Sequence, residues 1–168
     1  MAVAPRPLPR HFWFLSVACA TIADVDVIGF LLGIPYDQFF GHRGFFHSIF
    51  FALIVTMFLI GFWFRDAERF SRRWYFYFGF FFLLSASHGI LDAFTQGSIG
   101  VALLSPFDST RYFFPWTPLS MIRTKVFLRT WSFAAIRNEL LYVWLPSLFI
   151  IVVARLIRGA APKPVSGT

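Results

Sequence analysis

Residues 47–64 read HSIFFALIVTMFLIGFWF, an apolar run without a charged residue after its opening histidine. A helix needs about 20 predominantly apolar residues to cross the hydrocarbon core of a bilayer. Three further apolar runs of similar length lie at about 12–34, 73–92 and 139–157. The sequence therefore predicts an all-α integral membrane protein with about four transmembrane helices.

The composition separates this chain from soluble proteins. Hydrophobic residues make up 58% of its 168 residues, charged residues make up 14%, and Phe occurs 25 times. A soluble domain carries about 25% charged residues, and one of this size buries only about 70% of the surface that its unfolded chain exposes. The expected partner is therefore the lipid bilayer. The net charge of +7 does not indicate nucleic acid, because the basic residues lie at the ends of apolar runs.

A single membrane domain, 1–168, is the expected organisation. A signal-peptide reading of the N-terminus, with a cleavage site at Ala18–Ala20, is disfavoured because the apolar stretch continues to Ile34. The long loop 95–138 ends in a basic, aromatic segment, which is either an amphipathic interfacial helix or an ordinary loop. The tail 160–168 is expected to be disordered.

The distribution of Lys and Arg predicts the orientation of the four helices. One side would hold nine basic residues: Arg6, Arg10, Arg65, Arg69, Arg72, Arg73, Arg155, Arg158 and Lys163. The other side would hold six: Arg43, Arg111, Arg123, Lys125, Arg129 and Arg137. Both termini are therefore expected to be cytoplasmic.

Six side chains that can bind a metal fall toward the membrane face opposite the termini. They are Asp24, Asp26, His42, His47, His88 and Asp92. A charged aspartate at the centre of a membrane helix costs about 2.5–3.5 kcal/mol on insertion scales, and such residues usually face the bundle interior and mark function. The pattern predicts a polar cluster at one membrane face.

The spacing of these residues sets limits on their geometry. His88 and Asp92 are four apart and share one helix face. Asp24 and Asp26 are two apart, about 200° around a regular α-helix. We therefore expect either a break in the first helix or only one of these two aspartates as a ligand.

Imidazole and carboxylate ligands without sulfur suit Zn, Mn or Fe. Cys19 is the single cysteine, so a thiolate metal cluster and an internal disulfide are excluded within the chain. Six ligands exceed the needs of one tetrahedral ion, so one or two ions per chain remain open. Two-metal centres commonly activate water for phosphoester hydrolysis. A purely structural polar network is the alternative interpretation of the cluster.

The motifs around these residues resemble those of the YdjM-like membrane proteins, described as LexA-binding, inner-membrane-associated, metal-dependent hydrolases. The resemblance covers about 23–115 through five segments: ADVDV at 23–27, HRGFFHS at 42–48, SHGILD at 87–92, TQGSIG at 95–100 and LLSPF at 103–107. It implies a reaction class and an inner (plasma) membrane location, but no substrate. No feature of the chain indicates a LexA-binding surface.

Three positions depart from the family pattern. Ala23 stands in place of a proline, Val27 in place of a histidine and Phe46 in place of a threonine. The histidine missing at position 27 removes a potential ligand, which leaves the number of metal ions open. The six candidate ligands are all retained.

The sequence thus predicts a membrane-bound hydrolase that cleaves an ester or phosphoester, with a lipid or lipid-linked molecule as the expected substrate. A bound metal would lower the pKa of a water molecule toward about 7. We expect Asp26 to act as general base and Arg43 to hold a substrate anion. The alternatives are a metal- or proton-handling transport protein and a non-catalytic structural membrane protein.

Overall fold

The computed structural model describes residues 8–96, 98–120, 137, 140–149 and 152–153. The chain divides into two compact units, Met1–Thr117 and Pro118–Thr168. The predicted disordered tail and almost all of the basic segment before 139 lie outside the described residues. The organisation as one membrane domain stays a prediction.

The first unit is helical. It contains α1 (His11–Thr21), a 3-10 helix (Ile22–Val27), α2 (Ile28–Leu31), a second 3-10 helix (Phe45–His47), α3 (Ile49–Trp63), α4 (Arg72–Ala93) and the two-residue strand β1 (Thr95–Gln96). The described part of the second unit contains the two-residue strand β2 (Leu119–Ser120) and a π-helical turn (Leu140–Trp144), which residues 145–149 continue as an α-helix.

Two helical stretches in the described residues are long and apolar enough to cross a membrane, His11–Leu31 and Arg72–Ala93. The helix α3 has 15 residues, so it spans about 22 Å at 1.5 Å per residue, less than the roughly 30 Å of a hydrocarbon core. The fourth apolar run is only partly described. The prediction of a helical protein is confirmed, whereas the number of four crossings stays a prediction.

The predicted break in the first helix is present. The backbone between α1 and α2 tightens into 3-10 geometry over Ile22–Val27, the segment that carries both aspartates. The start of α3 is fixed differently, because the Ser48 hydroxyl accepts a hydrogen bond from the Phe51 amide at 3.0 Å and acts as an N-cap. Ser71 caps α4 in the same way.

The apolar core lies where α1 and α4 begin and α3 ends. Its buried residues come from all three helices and the turn after α3: Phe12, Leu15, Cys19, Leu59, Ile60, Phe64, Ala67, Tyr77 and Phe81. Large apolar side chains cover the outer faces, among them Phe14, Phe58 and Leu83. An exposed apolar surface of this kind is expected for helices that face lipid. The core leaves the opposite ends of the same helices to the polar cluster.

A glycine allows the loop before α3 to approach α4 closely. A Cβ atom at Gly89 would overlap the backbone carbonyl oxygen of His47. Gly89 also lies directly after His88 in the sequence. The absence of a side chain at this position therefore brings the two histidines together.

We predict that Gly89→Ala destabilises the protein, because the added methyl group forces α4 and the His47 loop apart. Overpacking of this kind costs about 1–3 kcal/mol. Gly79→Ala is the matched control in the same helix, since a Cβ atom at Gly79 has no atom within 4 Å among the described residues. Melting temperatures in one detergent measure the effect, and equal melting temperatures for the two variants would contradict the prediction.

Candidate metal centre

The loop between α2 and α3 folds back tightly on itself. Cβ atoms at Gly41 and Gly44 would overlap the carbonyl oxygens of Pro35 and Phe39. The Phe45 amide closes the loop by donating to the Phe39 carbonyl at 2.9 Å. The two glycines of the GHRG sequence thus allow the chain turn that presents His42 and Arg43 to the helix ends.

Arg111, from the segment after α4, holds this loop from outside. Its guanidinium donates to the Tyr36 carbonyl at 2.8 Å and the His42 carbonyl at 3.2 Å. It also reaches the carbonyls of Gln38, Arg43 and Gly100. Asp108 is not its partner, because that carboxylate accepts from the Thr110 amide and the Tyr112 hydroxyl.

Asp26 is the buried carboxylate that joins the loop to the first 3-10 helix. Its Oδ1 lies 2.7 Å from Nδ1 of His42, and its Oδ2 accepts from the Arg43 amide at 3.1 Å. The same Oδ2 lies 3.0 Å from Nδ1 of His47. Arg43 has a φ of +62°, a left-handed conformation that is uncommon for residues other than glycine. This strained backbone directs the Arg43 amide to Asp26.

The other nitrogen of His47 faces a second group of donors. Its Nε2 lies 3.2 Å from Oδ2 of Asp92 and 3.6 Å from Oδ1 of Asp24. That Asp24 oxygen is also 3.4 Å from Nε2 of His88. The Nδ1 of His88 lies 2.8 Å from the Ala20 carbonyl. Because a carbonyl only accepts, Nδ1 of His88 is the donor in this contact, and Nε2 is the nitrogen that faces Asp24.

Arg43 is engaged with Asp92. Its Nη2 donates to Oδ1 at 3.2 Å, and its Nε lies 3.2 Å from Oδ2. The Arg43 side chain is only 6% exposed, so a substrate would have to displace Asp92 to reach it. This placement favours a role in orienting Asp92 over the predicted role in binding a substrate anion.

All six predicted ligands come together in two overlapping groups. One group is Asp24, Asp26, His42 and His47, the other is His47, His88 and Asp92, and the ligand atoms of each group lie within 4.8 Å of one another. His47 belongs to both groups, and its side chain is fully buried. The structure thus places side chains from the first 3-10 helix, from the loop before α3 and from the end of α4 around His47.

The donor set fits a divalent metal ion. Both ring nitrogens of His47 are buried and make no hydrogen bond within the described part of the chain, although carboxylate oxygens lie nearby. Ligands bound at about 2.0–2.1 Å to a tetrahedral zinc ion lie about 3.3–3.4 Å apart. The distances around Nε2 of His47, from 3.2 to 3.6 Å, match that spacing.

Two neighbours of this cluster are not among the predicted ligands and catalytic residues. Arg111 is one. Tyr36 is the other, with its ring 5.4 Å from the His42 ring and under the guanidinium of Arg111. Burial raises the pKa of the Tyr36 hydroxyl, and the charges of Arg43 and Arg111 partly offset this effect. Neither residue lies in a spacing pattern that could have revealed it.

Sequence similarity connects this chain to known inner membrane proteins. A family model described as "YdjM inner membrane protein" matches residues 1–161. The inner membrane protein YbcI of Escherichia coli (strain K12) is 31% identical over 159 residues, which cover 90% of this chain and 87% of that protein. No solved structure matches the chain.

We predict that the purified protein binds a transition metal and that His47→Ala and His88→Ala lose it. Each substitution removes a ligand nitrogen from the group around Asp92. His11→Ala is the control, because His11 packs against Phe64 at the apolar end of the helices. Elemental mass spectrometry of detergent-purified protein measures the content. A wild-type protein that binds no metal after metal is supplied would contradict the prediction.

Proposed function

The chain belongs to the YdjM family of inner membrane proteins, and we propose that it is a metal-dependent hydrolase of that membrane that cleaves an ester or phosphoester. The observation that carries the proposal is the position of His47. Its two buried ring nitrogens lie 3.0–3.6 Å from carboxylate oxygens on both sides, and neither nitrogen makes a hydrogen bond among the described residues. Buried polar atoms without a hydrogen bond call for an explanation, and an ion held between the histidine and the carboxylates supplies one.

The residues around Nε2 of His47 are the proposed ligands of one ion. They are His47, His88 and Asp92, with Asp24 as the fourth because its Oδ1 lies 3.6 Å from Nε2 of His47 and 3.4 Å from Nε2 of His88. Zinc suits this mixture of nitrogen and oxygen donors, and manganese or iron are the alternatives. A bound ion would supply a Lewis acid that makes water nucleophilic near neutral pH. A second ion would have to use His42 and Asp26 on the other side of His47.

Asp26 fits a positioning role better than the predicted role of general base. Its side chain is fully buried, and its two oxygens face His42 and His47. A carboxylate behind a metal-binding histidine fixes the ring orientation and increases the basicity of the ligand. Arg43 orients Asp92 in the same manner, so both predicted catalytic residues act through ligands.

The exposed side of the cluster supports a lipid or lipid-linked substrate. The side chain of Asp24 is 50% exposed, although it lies inside the candidate span His11–Leu31. The first 3-10 helix, α2 and the end of α4 also carry exposed apolar side chains, namely Val25, Ile28 and Leu91. A polar site beside an apolar surface suits an amphiphile that enters from the bilayer.

The distribution of polar residues favours hydrolysis over transport of metal ions or protons. A transport path needs polar groups through the full membrane depth. The opposite ends of α1, α3 and α4 are closed instead by the aromatic side chains of Phe12, Phe64, Tyr77 and Phe81. The third interpretation, a structural membrane protein, predicts that the cluster binds no metal.

We propose that the chain crosses the membrane four times with both termini in the cytoplasm. The buried Cys19 is the single native cysteine. The labelling of one introduced cysteine therefore shows on which side of the membrane that position lies. An impermeant thiol reagent added to intact cells with a permeabilised outer membrane should label Asp108→Cys and leave Arg69→Cys unlabelled. The reverse labelling pattern would contradict this orientation.

We predict that the metal-loaded protein hydrolyses a long-chain phosphoester or ester in vesicles faster than its short-chain, water-soluble counterpart. Asp26→Asn should lower the rate by about 10–100-fold, the usual effect of losing a carboxylate behind a ligand. Asp108→Asn is the control, since Asp108 lies in an exposed loop and bonds only within that loop among the described residues. Metal-dependent ion flux without any hydrolysis would overturn the proposal in favour of transport.

A further inference from the structure

Tyr36 has an uncommon environment for a buried tyrosine. Its hydroxyl oxygen is buried, and no described residue forms a hydrogen bond with it. Tyrosine hydroxyls usually find a partner when they are buried, because an unpaired polar group in an apolar environment costs free energy. The unpaired hydroxyl thus lowers the stability of the fold, which points to a role for it in function.

The ring of Tyr36 is held firmly while its hydroxyl is left unpaired. It stacks on Phe30 at a centroid distance of 6.2 Å, and the guanidinium carbon of Arg111 lies 5.4 Å from its centroid. The same guanidinium binds the Tyr36 carbonyl. Contacts to both the ring and the backbone therefore fix the direction of the hydroxyl before any ligand arrives.

Tyr36 stands at the end of a row of rings that runs through the metal centre. Its ring meets His42 at 5.4 Å, His42 meets His47 at 5.3 Å, and His47 meets His88 at 5.1 Å. The Tyr36 side chain therefore borders the same polar site as the proposed ligands.

We propose that Tyr36 is a further catalytic residue of this site, whose hydroxyl donates a hydrogen bond to the ester or phosphoryl oxygen of the substrate. The proposal rests on the proposed hydrolase function. A fixed donor that faces developing negative charge stabilises the transition state without any reorganisation. Arg43 does not supply this contact, because its guanidinium is paired with Asp92.

The first test is Tyr36→Phe, which removes the hydroxyl and keeps the ring. We expect kcat to fall by about 100-fold, the effect of losing one such donor, with bound metal unchanged and a melting temperature equal to or above that of the wild type. Tyr75→Phe is the control, since Tyr75 is exposed on α4. A merely structural tyrosine would lower the melting temperature, and that result or an unchanged kcat would overturn the proposal.

The second test does not depend on turnover. Fluorine NMR of protein that contains 3-fluorotyrosine should give five resonances, one for each tyrosine, and the Tyr36→Phe and Tyr75→Phe variants identify two of them. Inorganic phosphate added to the metal-loaded protein should shift the resonance of Tyr36 and leave that of Tyr75 in place. A shift without hydrolysis of any substrate would support the Tyr36 contact and reject the hydrolase function. No shift at Tyr36 would overturn the contact.

Discussion

The polar end of this protein depends on the burial of His47 among three carboxylates. Asp24, Asp26 and Asp92 approach the two nitrogens of one ring, and the side chains of His47 and Asp26 are fully buried. Burying such groups is costly unless they are paired or coordinate a metal. Arg43 neutralises part of this charge through Asp92. A cation at the Nε2 side of the ring would neutralise more of this charge.

The two ends of the same helices have different roles in the fold. At one end, aromatic side chains of α1, α3 and α4 pack into the apolar core. At the other end, the helices stop being regular α-helices: a 3-10 helix follows α1, and another precedes α3. These irregular segments allow Asp24 and Asp26 to approach opposite nitrogens of His47. The packed apolar end therefore holds the three helices together, and the irregular backbone at the polar end positions the aspartates around His47.

Much of the candidate site could be predicted from the sequence, because charged and imidazole side chains are rare in apolar runs and their positions place them at one membrane face. All six predicted ligands meet in the structure. The predicted roles of Asp26 and Arg43 fit less well. Asp26 is enclosed by His42, the Arg43 amide and His47, and the guanidinium of Arg43 is held by Asp92. The partner of a buried polar group depends on interatomic distances in the folded protein. The spacing of residues along the chain does not determine these distances.

The sequence by itself determined the membrane character, the approximate helices and the identity of the candidate metal ligands, because hydropathy and residue chemistry are local properties. The tertiary structure alone decided which of those side chains lie next to one another. It placed His47 between two groups of donors and turned Nδ1 of His88 toward the Ala20 carbonyl. It also brought Tyr36 and Arg111, which lie outside the motifs, next to the cluster. These outcomes follow from the close approach at Gly89 and the loop that Arg111 holds. Both depend on the packing of segments that are distant in the chain.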